Sequence, residues 1–296
     1  MQKPNFSSRR TFLKDISLMT GALALPGSLL ASSQPLSTKK MKLGLVTYLW
    51  GKDWDVPTLI KNCTAAKIYG VELRVDHAHG VGLNLTQSQR ADVKKRFDDS
   101  KVEIVGMGTN FEYHSPDPAV LKDNIEKTKQ WLQLSKDVGG SGVKVKPNAF
   151  PQGVSHEKTL EQIGKALNEL GQYALDMGQV IRLEVHGHET QNLPNIKVMM
   201  DYVENKGTGV CWNCNQEDLD GQGLEYNFNL VKDRLGDTVH VREMNLGDYP
   251  YQELMSLFSG VNYNGWILLE CRTDPDDKVK AMIEQREVFE KMLKNA

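Results

Sequence analysis

The 296-residue chain has no uninterrupted apolar run of the roughly 20 residues that a stable membrane span needs; its longest candidate, over residues 16–30, is broken by Pro26 and Gly27. It also lacks a glycine-rich phosphate loop after an early strand, which removes the usual signature of a nucleotide-binding open sheet. No His-Glu-x-x-His cluster is present, so any metal ligands must be gathered from distant parts of the chain. There are four cysteines, Cys63, Cys211, Cys214 and Cys271, with a single close pair. At strand periodicity Cys211 and Cys214 point to opposite faces, which favours two small packed residues over a redox or metal pair. Positive charge is short as well. Six of the 36 basic and one of the 38 acidic residues lie in the first 40, leaving 30 against 37, a net of −7. A body that acidic argues against a nucleic-acid partner, which needs a basic face.

The first 40 residues stand apart. Ser8-Arg9-Arg10-Thr11-Phe12-Leu13-Lys14 precedes the weakly apolar run and resembles a bacterial twin-arginine export signal. The resemblance implies passage through the twin-arginine machinery, cleavage near Ala31, a periplasmic or otherwise exported location, and no stable membrane span in the mature protein. That route carries folded proteins, often with a cofactor in place. No cysteine follows the run to take a lipid.

From residue 41 to 296 the pattern is a short apolar strand, a turn and an amphipathic helix, repeated without a long linker. Strands are expected over residues 42–48, 71–75, 102–107, 142–146, from 182 onward, 208–213, 238–244 and 265–271. Helix starts are signalled by Asp55 with Pro57, by Asp117-Pro118 and by Asp274-Pro275, and ends by Gly70, Gly139-Gly140 and Gly178. Leu160, Ile163, Leu167, Leu170 and Ala174 form a one-sided stripe. Eight such units in one domain fit a closed (β/α)8 TIM barrel, with a doubly wound open sheet as the alternative.

Alternation then sorts the strand side chains. If the apolar residues face the helices, Glu72 and Arg74, Lys144 and Lys146, Glu184 and His186, Cys211 and Asn213, His240 and Arg242, and Leu268 and Glu270 face the barrel interior. The polar ones fall late in their strands, where barrel enzymes build active sites. Any one could belong to a structural ion pair; so many together need a common purpose. Glu184, His240 and Glu270, with the amide oxygen of Asn213, offer donors suited to a divalent ion such as Mn²⁺, Mg²⁺, Co²⁺ or Zn²⁺.

The order Glu184-x-His186-Gly187, Trp212-Asn213-x-Asn215, Val239-His240-Val241-Arg242-Glu243, and then Glu270 resembles the xylose isomerase-like barrel superfamily of sugar isomerases and epimerases. The resemblance implies Glu184, Asn213, His240 and Glu270 as metal ligands, with Asn213 where Asp is usual. The neutral amide weakens attraction for a dication. It also implies proton abstraction beside the carbonyl of a sugar or sugar derivative, with Glu184, Glu270, Lys144 and Lys146 as acid/base or electrostatic candidates and Glu72, Arg74, His186 and Arg242 as substrate contacts. Tyr48, Trp50, Phe111 and Tyr113 are candidates for stacking on a sugar face. A keto-glycoside lyase or hydrolase, and a non-catalytic carbohydrate-binding barrel that has lost its metal, are the alternatives. An endonuclease of the same superfamily conflicts with the acidic body.

Overall fold

The computed structural model describes residues 41–296; the export-signal expectation lies outside them. Eight parallel strands close into one ring in sequence order: β1 (Lys42–Val46), β2 (Gly70–Arg74), β3 (Glu103–Glu112), β4 (Gly142–Lys146), β5 (Val180–Glu184), β6 (Thr208–Asn213), β7 (Leu235–Val241) and β8 (Trp266–Leu269). The pairing of Lys42 with Trp266 and of Leu45 with Leu269 joins the first strand to the last, which excludes the open sheet.

The intervening helices are α1 (Val56–Ala66), α2 (Gln87–Asp98), α3 (Pro118–Asp137), α4 (His156–Asp176), α5 (Leu193–Asp201), α6 (Leu224–Val231), α7 (Tyr251–Gly260) and α8 (Lys278–Lys294). Asp55 caps α1 through Thr58 N at 2.9 Å, and Asp117 caps α3 through Ala119 N at 2.8 Å, as their sequence signals require. The final helix departs from expectation. Asp277, not Asp274, accepts from Lys280 N at 2.9 Å, so the Asp274-Pro275 pair lies in the loop before it.

Strand residues expected to face outward do so: Leu73, Val143, Val145, Leu183, Val239, Val241, Ile267 and Leu269 are buried against the helices. On α4, Leu160, Ile163, Leu167 and Leu170 enter the same layer, each contributing about 1.5–3 kcal/mol by leaving water. The four cysteines are free and buried.

Inside the barrel, Val46, Val105, Trp266 and Leu268 make a small apolar plug. Beside it Arg182 turns toward the N-terminal end, bonding Asp237 through Nε (2.7 Å) and Nη2 (2.8 Å) and Ser141 Oγ (2.7 Å). β3 supplies the room with glycine. A Cβ on Gly106 would lie 2.3 Å from Arg182 Nη1, and one on Gly108 would lie 2.6 Å from Glu72 Oε1. Either substitution would displace a buried charged side chain.

Candidate active site

Above the Arg182 layer the interior is ionic. His240 is fully buried on β7, its Nε2 3.3 Å from Glu72 Oε2. An ionised carboxylate can only accept, so Nε2 carries a proton toward Glu72, and Nδ1 faces the barrel axis. There Nδ1 lies 3.5 Å from Glu184 Oε1 and 3.8 Å from Glu270 Oε2. One ligand atom from each of Glu184, His240 and Glu270 falls within 4.8 Å of the others, and all three residues are buried. Asn213 Nδ2 donates to Glu184 Oε1 at 3.2 Å; turned by 180°, the amide would present its oxygen instead.

Lys144, also fully buried, brings Nζ to 2.7 Å from Glu184 Oε2. The two charges touch without hydrogen-bond alignment, for both atoms count among the buried polar atoms that have no hydrogen-bond partner, together with His240 Nδ1, Glu72 Oε1 and His186 Nδ1. Orphans so concentrated mark a place built for something further. The donor set is right for a divalent ion: two carboxylates, one imidazole nitrogen with its second nitrogen held by Glu72, and an amide within reach.

Electrostatics separates the two lysines. Burial opposes the charge on Lys144, but Glu184, Glu72 and Glu270 outweigh it and raise its pKa, so Lys144 stays an ammonium. Lys146, half-buried at the end of β4, is lowered by burial and then by the charge of Lys144. Of the two, Lys146 is the better suited to proton transfer, and Lys144 keeps the electrostatic role among those expected of it. Glu184 is pushed up by burial but held well below the usual range by Lys144 and His240. His186 falls to about 4 because burial outweighs Glu184, so the ring is neutral near pH 7.

Glu72, expected as a substrate contact, is fully buried with Oε2 3.3 Å from His240 Nε2, where it orients that ring. Arg74 does reach the upper layer, 3.5 Å from Glu270 Oε1 and 3.2 Å from Asn110 Oδ1, with its guanidinium 5.1 Å from the Tyr48 ring centre. β5 ends at Glu184, so His186 sits in the following loop; its ring is half-buried and Lys146, Lys144 and Arg74 all act on it. Arg242 lies just past β7 and turns aside to Asn215 Oδ1 at 3.3 Å, lining a cavity of about 340 Å³ with Glu243, Tyr249 and Thr273. Among the aromatics, Trp50 and Tyr113 are core residues, bonded to Thr273 O and Thr128 Oγ1, whereas Tyr48 and Phe111 remain partly exposed.

Sequence reasoning missed Thr47 and Asn110, which hold the backbone and guanidinium of Arg74. It missed Glu243 as well, whose carboxylate takes the backbone N–H of Arg272 and of Thr273 and so fixes the loop after Glu270. The Glu following Arg242 was visible, but nothing in its spacing told which loop it would clamp. A larger cavity of about 770 Å³ opens at the opposite end, lined by Thr208, Leu235, Asp237 and Tyr263 among others. It contains none of the converging donors, so size does not locate the chemistry.

A family model described as xylose isomerase-like TIM barrel matches residues 60–292. No curated protein matches in sequence. Solved structures share the fold: an L-ribulose 3-epimerase (13% identity, TM-score 0.73, covering 86% of this chain and 95% of that one); a 3-keto-D-glucoside 4-epimerase from E. coli (15%, 0.72, 85% and 100%); and a D-allulose 3-epimerase from Methylomonas sp. (17%, 0.72, 86% and 99%). Another, the IOLI protein with a binding zinc atom, aligns at 13% identity and TM-score 0.71 over 86% of this chain and 99% of that one.

Proposed function

We propose, for a chain that belongs to the xylose isomerase-like TIM barrel family, an epimerase or isomerase that moves a proton beside the carbonyl of a sugar or sugar derivative. One observation carries the reading. Glu184 and Glu270, from strands three positions apart around the ring, converge with His240 at the C-terminal end of the barrel. Carboxylates on different sides of one carbon can remove a proton from one face and return it to the other, which inverts the centre.

Glu184, His240 and Glu270, with the amide of Asn213, would hold a divalent ion, whose chemistry there is to polarise the substrate carbonyl and stabilise an enediolate oxygen. The chain's own groups supply the rest. Glu184 is kept ionised by Lys144. Arg74 stands over Glu270 and presents a fixed positive charge to oxygen atoms of the substrate. The neutral His186 ring can accept a hydrogen bond from a sugar hydroxyl, and Lys146, lowered by burial, is the more readily deprotonated of the two lysines. Tyr48, carrying Arg74 against its ring, offers a flat surface at the mouth.

The Arg9-Arg10 motif supports export, and with it an unphosphorylated sugar, since sugar phosphates are internal intermediates. Replacing both arginines by lysine should leave the protein in the cytoplasm of a bacterial host, where cell fractionation would detect it.

The function is tested by incubating the purified protein and Mn²⁺ in D₂O with free ketohexoses and 3-keto-glycosides, and following deuterium by NMR. We expect exchange at one carbon next to the carbonyl, with Glu184→Gln and Glu270→Gln each losing it by at least about a hundredfold. Release of the aglycone would favour the lyase reading. Sugar binding without exchange in any substrate would identify a binding barrel and end the enzymatic proposal.

A further inference from the structure

The buried contact between Lys144 and Glu184 occupies a ligand oxygen of a site that must admit a dication. Lys144 lies on β4, and its Nζ is 2.7 Å from Glu184 Oε2, an oxygen of the proposed ligand set. Glu184 Oε1 is meanwhile taken by the Asn213 amide. Both oxygens of one ligand are therefore engaged by groups of this chain, one of them positively charged.

A second buried carboxylate, Glu72, also acts on that lysine. Glu72 Oε1 is buried and has no hydrogen-bond partner, while its other oxygen faces His240. After Glu184, Glu72 is the strongest attraction acting on Lys144. The ammonium thus has two carboxylates to choose from, one inside the ligand set and one behind it.

Resting on the metal reading above, we propose that Lys144 is a resident counter-cation of the site: it neutralises Glu184 when no ion is present, yields to a divalent cation by swinging to Glu72 Oε1, and by its charge keeps that cation weakly held and exchangeable. An unpaired carboxylate buried this deeply costs several kcal/mol, so a metal site in the barrel interior needs an internal substitute for the ion or a protein that folds only when loaded. Lys144 is the substitute. Asn213 acts in the same sense, since a neutral ligand lowers the attraction of the site for an entering dication.

The test compares affinities for Mn²⁺ and Zn²⁺ by titration calorimetry and metal analysis after dialysis, with no substrate. Lys144→Met, which keeps the length and removes the charge, should bind about 10- to 100-fold more tightly than the natural protein, and Lys144→Arg should stay within about threefold of it. A crystal structure of the natural protein with saturating Mn²⁺ avoids any folding defect of the variants, and should show Lys144 Nζ bonded to Glu72 instead of Glu184. If the natural protein binds metal stoichiometrically but Lys144→Met binds it no more tightly, or if Lys144 stays on Glu184 in the loaded crystal, the counter-cation role is overturned while the metal site stands. If neither protein binds metal at millimolar concentration, both the metal reading and this inference fall.

Discussion

Asp218 offers a prediction whose size can be worked from the structure. It is fully buried in the loop after β6, where Oδ2 accepts from Tyr249 Oη (2.7 Å) and from Asn215 N (3.0 Å), and Oδ1 has no partner. Burial raises its pKa from 3.8 to about 7. Between those values the folded protein keeps a proton that the unfolded chain has released. Stability from this group is therefore fully present below pH 3.8 and is lost as pH rises through about 7. A shift of roughly three pKa units at about 1.4 kcal/mol each gives about 4 kcal/mol over the whole window. Asp218→Asn cannot ionise. Urea unfolding of both proteins at pH 4, 5, 6, 7 and 8 isolates the effect, because other titrating groups cancel in the difference. The variant should gain about 4 kcal/mol relative to the natural protein between pH 4 and pH 8. A difference that stays flat within about 1 kcal/mol would mean that Asp218 is ionised in the fold at neutral pH, and the account of its burial would be wrong.

Two further predictions concern the interior. Asp237→Asn removes the charge that Arg182 meets at the N-terminal end; breaking a buried pair costs about 3–5 kcal/mol, and because the Asp237 side chain is 47% exposed solvent should reduce this to about 2 kcal/mol. Melting should fall by about 4–8 °C. Glu72→Gln keeps an acceptor for His240 Nε2 but loses the charge behind it, and should weaken Mn²⁺ binding about 10- to 100-fold in calorimetry; unchanged binding would remove Glu72 from the support of the site.

Much of this interior could be read from strand periodicity. β4 and β6 have the expected bounds, and alternation alone placed Glu72, Lys144, Glu184, His240 and Glu270 on one face. Alternation tells which face a residue takes but not its height along the barrel, because neighbouring strands are staggered by the shear of the closed sheet. That is why alternation could not tell that Glu72 would stand against His240 Nε2. β3 was read too short because Gly106, Gly108, Thr109 and Asn110 lack the apolar alternation of a strand, although it continues to Glu112. Its glycines are there for Arg182 and Glu72, residues far away in sequence. Arg242 was misplaced for a related reason. β7 starts and stops three residues earlier than its apolar pattern suggests, so Arg242 leaves the inward face at the strand end and follows the loop to Asn215.

The register of β4 on β5 explains how the site acquired a lysine partner at all. Lys144 pairs across the ladder with Arg182, not with Glu184. Two inward cations side by side repel, and no apolar face is available to either of them. The conflict is relieved by divergence along the barrel axis. Arg182 turns down to Asp237 and Ser141, through space left by Gly106 and Gly142, while Lys144 turns up to Glu184. The ion pair at the N-terminal end and the ion pair at the candidate site are therefore two halves of one arrangement. Once Asp237 loses its charge, Glu72 is the next carboxylate acting on Arg182, and that is the carboxylate Lys144 needs when an ion takes Glu184. Asp237→Asn should accordingly weaken metal binding as well as stability, although Asp237 lies at the opposite end of the barrel from every proposed ligand. Equal Mn²⁺ affinity in that variant and the natural protein would show that the two ends act independently.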